Sequence, residues 1–223
     1  MRLFLRFLAL LLALLLIVLV VNTFRLTPHQ LISVPPAAPI SIPDSAIQRL
    51  AGAIRIPTVS YTDHSLTNTA QFDKFLAYIQ TAFPLIHQRL KRETFNKYGL
   101  LLEWKGRNTN LKPMLLMGHY DLVPVIQGTQ KMWKCPPFGG IIAGDFLYGR
   151  GILDDKMSVI ALLESTEYLL RTNFQPERTL FLAFGPDVSS SGREAQTIAA
   201  ALKNETFHST IFWTKVASLK QKA

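Results

Sequence analysis

Apolar residues run without interruption from position 7 to position 21, after Arg2 and Arg6 and before Asn22, Thr23 and Arg25, and they cover every face of a helix. With Leu3 to Leu5 added and Arg6 snorkelling, the run predicts a transmembrane helix over about 3–21. No Ala-x-Ala site follows it. That favours a signal anchor over a cleaved signal peptide, and both readings of residues 1–26 stay open. Over 27–43 the pattern changes to Pro28, Pro35, Pro36, Pro39 and Pro43, which suits an extended tether rather than a helix. Asp44 or Ser45 is then placed to cap a helix with Ile47, Leu50, Ile54 and Ile56 near one side, ending before Pro57. A second helix is predicted over about 69–83, until Pro84 breaks the pattern. Positions 100–104 and 114–117 read as strands, joined by the polar turn from Gly106 to Asn110. Ile160, Leu163, Tyr168 and Leu169 predict a helix from Asp154 or Asp155 to about Thr172. Residues 179–184 read as a strand covered on both faces, and 194–203 as a last helix. This alternation predicts an α/β fold, a three-layer α/β/α sandwich over about 44–204.

A chain of 223 residues can hold one domain with a real core, and its 48% hydrophobic content is inflated by the N-terminus. The net charge of +9 does not change the picture: the basic residues are scattered rather than clustered, and the aromatic residues are not interleaved with them. A nucleic-acid partner is therefore not expected. Cys135 is the sole cysteine, so neither an intrachain disulfide nor a thiolate zinc cluster can form. An exported address, periplasmic, luminal or extracellular, is allowed.

Two segments carry candidate chemistry. His119-Tyr120-Asp121 follows an apolar strand and should emerge at its end, where open sheets place their ligand crevices. Asp121, two residues on in an extended chain, falls on the same side as His119 and can fix its tautomer. Asp154-Asp155 follows Tyr148-Gly149-Arg150-Gly151 at the start of a predicted helix. An imidazole and a carboxylate brought from different elements can begin a tetrahedral zinc site, whereas each segment alone is more often structural, a hydrogen-bonded histidine or a helix cap. No P-loop, His-Glu-x-x-His or Gly-x-Gly-x-x-Gly is present, and the serines at 189–191 lack the first glycine of a nucleophile elbow.

With Ile56-Pro57-Thr58-Val59-Ser60, the Trp133 to Phe138 loop and Arg178 to Gly185 added, the chain resembles the M20 family of zinc-dependent peptidases and amidohydrolases. The resemblance is strongest to the branch of membrane-anchored or secreted carboxypeptidases and N-acyl-amino-acid hydrolases. It implies a fold like the zinc aminopeptidases, two zinc ions, and peptide or N-acyl amino acid substrates. It assigns His119 as a zinc ligand, Asp121 as its orienting carboxylate and Asp154 as the residue bridging two zincs, with Asp155 following through what is often a cis peptide. The family's general-base glutamate and the next glutamate, a zinc ligand, align with Val188 and Ser189. Neither replacement supplies a base or a carboxylate ligand, so hydrolysis by this chain is expected to be lost or nearly lost, with at most partial zinc occupancy.

After about Asn204 the resemblance ends, and residues 205–223 read as an atypical tail. Read one base out of frame, codons for Phe212-Trp213-Thr214-Lys215-Val216-Ala217 force Leu and Asp and permit Glu-Gly-Gly, a family zinc-ligand motif. The tail is therefore expected to be a frameshifted remnant, and the catalytic domain to be truncated. The alternatives are a non-catalytic binding or regulatory protein that keeps the crevice or pairs with an intact paralogue, and a truncated product without function.

Overall fold

The computed structural model describes residues 2–25, 41–186 and 192–205. The expected tether up to residue 40, the positions of Val188 and Ser189, and the tail from 206 onward lie outside the described residues. The chain divides into two compact units, Met1–Ser41 and Ile42–Ala223. In the first, a single helix α1 (Arg2–Arg25) buries none of its residues.

The second unit is built on a four-stranded sheet. Strands β1 (Lys91–Phe95), β2 (Gly99–Trp104), β3 (Met114–His119) and β6 (Leu180–Gly185) lie in the order β1-β2-β6-β3. The first two junctions are antiparallel and the β6–β3 junction is parallel. Side chains alternate faces along a strand, so β2 and β6 feed two separate cores. Leu100, Leu102, Trp104, Leu182 and Phe184 point to one face and meet Phe75, Ile79 and Leu163 from helices on that side, together with Phe83 at a junction between two of them. Leu101, Phe181 and Ala183 point to the other and meet Ile198 and Leu202 of helix α6 (Arg193–Glu205). Each fully buried Leu, Ile or Phe in such a core contributes about 1.5–3 kcal/mol. The result is the expected α/β/α layering.

Four helices cover the larger core: α2 (Asp44–Ile54), α3 (Thr69–Ala82), α4 (Pro84–Arg89) and α5 (Met157–Arg171). Three expectations need correction. The buried face of α2 is Ala46, Ala51, Ala53 and Ile54, while Ile47 is exposed, and Pro43 rather than an acid or serine occupies the N-cap. Small residues let α2 approach closely, and Arg49 on it forms a two-pronged ion pair with Glu164 of α5. The helix expected over about 69–83 is α3, which ends before Pro84 as expected, and Pro84 itself starts α4, where its missing N–H costs nothing. Most relevant to the site, Asp154 and Asp155 do not open a helix. They sit in a separate turn, Ile152–Lys156, with non-helical backbone at both aspartates and a cis Asp154–Asp155 peptide; α5 begins only at Met157. A ribbon of β4 (Ile141–Ala143) and β5 (Phe146–Tyr148) stands outside the main sheet.

Candidate metal centre

His119 is the last residue of β3 and pairs in register with Gly185, the last of β6. The only parallel junction of the described sheet therefore ends where His119 stands, and the carboxyl edge of parallel strands is where α/β sheets gather ligands. Beyond His119 the chain stays extended and is gripped by the segment after α2. Leu122 N–H donates to Thr58 O at 2.9 Å, Ser60 N–H donates to Leu122 O at 3.0 Å, and the Thr58 hydroxyl donates to Tyr120 O. Tyr120 itself points into the core, stacked on Phe75 at 4.6 Å with its hydroxyl donating to Tyr98 O at 2.7 Å.

This frame places the functional side chains. Asp121 is fully buried; one of its oxygens lies 3.0 Å from His119 Nδ1 and the other accepts the Ser60 hydroxyl at 2.7 Å. A buried carboxylate facing Nδ1 is satisfied only if that nitrogen carries the proton, which leaves the Nε2 lone pair for a ligand. Nε2 lies 3.2 Å from Asp154 Oδ1, and the Asp154 side chain is 73% exposed. Asp155, although next in sequence, points the opposite way: it is buried and accepts the backbone N–H of His119 at 3.2 Å. The turn thus offers one aspartate to the crevice and uses the other to hold the strand end. Burial pulls the His119 pKa down, but hydrogen bonds from its ring to the carboxylates of Asp121 and Asp154 and the charges of Asp121 and Asp155 outweigh it and hold it above its usual value.

Two residues that sequence reasoning left unassigned complete the frame. Ser60 is sixty-one residues from the carboxylate it holds. Lys156, with no exposed surface, donates to Ala53 O at 2.9 Å and Ile56 O at 2.6 Å and lies 4.9 Å from the Phe75 ring, tying the aspartate turn to the end of α2. Burial lowers its pKa to about 7, against the opposing charge of Asp121. A lysine immediately after two acids reads as a solvated charge, and only burial distinguishes it.

The donor set can be compared with zinc. Two ligands at ~2.0–2.2 Å from a tetrahedral ion stand about 3.3–3.6 Å apart, slightly more than the 3.2 Å between His119 Nε2 and Asp154 Oδ1. His119 and Asp154 could therefore share one ion. Among the described residues, no group of three or more His, Cys, Asp or Glu side chains is arranged to hold a metal. Strand β6 ends at this same edge; Val188 and Ser189, which follow it in sequence, lie outside the described residues.

Comparison with known proteins agrees with this architecture. Residues 115–211 match the sequence profile of peptidase family M20/M25/M40. The probable carboxypeptidase S-like 2 of Dictyostelium discoideum is 38% identical over 190 residues, covering 79% of this chain and 35% of that protein. The N-fatty-acyl-amino acid synthase/hydrolase PM20D1 of Mus musculus is 42% identical, covering 70% and 31%, and carboxypeptidase S of Saccharomyces cerevisiae is 39% identical, covering 74% and 30%. The chain thus spans about a third of the length of these relatives. Among solved structures, an M20 family metallo-carboxypeptidase from Sulfolobus solfataricus superposes with a TM-score of 0.58 at 19% identity, covering 75% of this chain and 36% of that one. Human carnosine dipeptidase 1 gives 0.58 at 16% identity, covering 76% and 37%. With its sheet, its layers and its sequence all in agreement, the chain belongs to the M20 peptidase family.

Proposed function

We propose that this chain derives from a zinc-dependent hydrolase of peptide or N-acyl-amino-acid amide bonds, and that it keeps one half of the metal site but has lost hydrolysis or nearly so. The observation that carries the first part is the approach of His119 Nε2 to Asp154 Oδ1, with Asp121 holding the other ring nitrogen. Zinc bound between such donors would polarise an amide carbonyl and lower the pKa of a water. The residues of this chain would orient the imidazole, hold its proton on Nδ1 and present a single carboxylate from the crevice wall.

The second part rests on sequence. Val188 and Ser189 stand where the family resemblance requires a general base and a carboxylate ligand. Absence of a positioned base alone costs ~10²–10⁴-fold in rate. The intact support of His119 by Ser60, Asp121 and Asp155 favours a second reading, a non-catalytic binding or regulatory protein that retains the crevice. On either reading zinc occupancy is partial, and α1 serves as a signal anchor or signal peptide placing the domain across or outside a membrane. The purified chain with added zinc should show no turnover of dipeptides or N-acyl amino acids above background. Robust turnover abolished by His119→Ala would refute loss of activity.

A further inference from the structure

Beside Asp154 lies a cleft of about 510 Å³, within the ~300–1,000 Å³ of small-molecule sites. Val123, Trp133, Phe146 and Leu153 give it apolar walls, and all but Trp133 are largely exposed, Leu153 by 70%. Arg150 is set into this surface. Its guanidinium lies 4.9 Å from the Trp133 ring. Its Nε is buried with no hydrogen-bond partner, and among the described residues no carboxylate pairs with it.

A cation held against an apolar wall without a counter-charge is costly unless something else supplies one. Its backbone leaves it little freedom to escape. Arg150 N–H donates to Pro137 O, and the glycines on either side are wedged in place: a Cβ on Gly149 would fall 2.4 Å from Ile54 Cγ2, and one on Gly151 2.0 Å from Leu122 Cδ2. Gly151 also has a φ of +79°, which a side chain would strain. The nearby cation, Lys134, is already engaged, donating to the Tyr148 hydroxyl at 2.9 Å.

We propose that this cleft binds an amphiphilic carboxylate, a small organic acid whose carboxylate pairs with Arg150 and whose aromatic or aliphatic body lies on Trp133, Phe146 and Val123. The guanidinium fork matches a carboxylate, and one unpaired guanidinium matches a monoanion better than a dianionic phosphate. The exposed Asp154 carboxylate repels the acid group from the metal end of the crevice, so the ligand is oriented with its acid at Arg150. This deepens the reading of the crevice as a retained ligand site and does not depend on turnover.

The test is calorimetric titration of the full chain with 4-phenylbutyrate and its neutral amide, 4-phenylbutyramide, first with metal chelated and then with zinc. The acid should bind at least tenfold more tightly than the amide without metal. Arg150→Gln should abolish that difference while Lys134→Gln keeps it. Equal binding of acid and amide overturns the proposal without any variant, so a misfolded Arg150→Gln does not protect it. A preference that appears only with zinc assigns the acid to the metal and also overturns it, as does a preference lost in Lys134→Gln but kept in Arg150→Gln. Zinc affinity measured on the same preparation separates the two readings. Zinc bound at His119 with no acid preference removes only the carboxylate site, and acid preference without zinc binding removes only the metal site.

Discussion

Asp121 has no exposed surface; one of its oxygens faces His119 and the other accepts from Ser60. Loss of the Ser60 hydroxyl would remove a charge-assisted hydrogen bond from a buried carboxylate, a cost of about 1.5–3 kcal/mol, and would loosen the group that orients the imidazole. Ser60→Ala is therefore expected to weaken zinc binding by ~10–100-fold, with Ser60→Thr restoring most of it. Competition against a chromophoric chelator measures both variants. Unchanged affinity in Ser60→Ala would show that Asp121 holds the ring without help. That His119 and Asp121 share one side of the chain was legible in the sequence, because a two-residue step on an extended strand has local geometry; the metal roles of His119, Asp121 and Asp154 came only with the family resemblance. The part of Ser60 was not legible, because its partner is reached only through the pairing of Val59 with Leu122.

At the scale of elements, the missed pieces are those whose stabilising partners are remote. Helix α4 has no capping side chain of its own; instead Glu167 of α5 accepts the N–H groups of Leu85 and Ile86 at 3.1 and 3.0 Å. An acid at a helix N-terminus is favourable, but one contributed from eighty residues away leaves no local signal. The same helix carries His87, whose two ring nitrogens are buried without partners. Burial, and then the charge of Arg92, push its pKa below the usual 6.5, with Glu167 opposing. Above pH 6.5 the ring is neutral in both folded and unfolded chains. As pH falls past 6.5 the unfolded chain takes up the proton first, so stability is lost until the folded-state pKa is reached. His87→Leu should lose less stability between pH 7.5 and pH 5 than the unsubstituted chain, read as urea midpoints. An equal or larger loss would place the acid sensitivity elsewhere.

For the whole molecule, α1 is apolar on all sides and buries nothing in its own unit. Its 24 residues extend about 36 Å at ~1.5 Å per residue, enough to cross the ~30 Å hydrocarbon core of a bilayer. The full chain is expected to sediment with membranes and to resist extraction at alkaline pH, and a chain lacking residues 2–25 should move to the soluble fraction. Release of the full chain at alkaline pH, with its first helix still attached by mass spectrometry, would exclude the anchor.

Whatever rests on periodicity and on short-range geometry could be read along the chain alone. That includes the apolar helix, the layered α/β plan and the strand that ends in His119. Tertiary structure alone decided which groups face one another. The alternating faces of β2 and β6 split one apolar pattern into two cores, and the turn at Ile152–Lys156 sent Asp154 into the crevice and Asp155 into the fold. Burial turned Lys156 from a surface charge into a tie between two elements. The physical reason is the same throughout: hydrophobic spacing is encoded along the chain, whereas desolvation and hydrogen-bond partners exist only once distant segments are packed together.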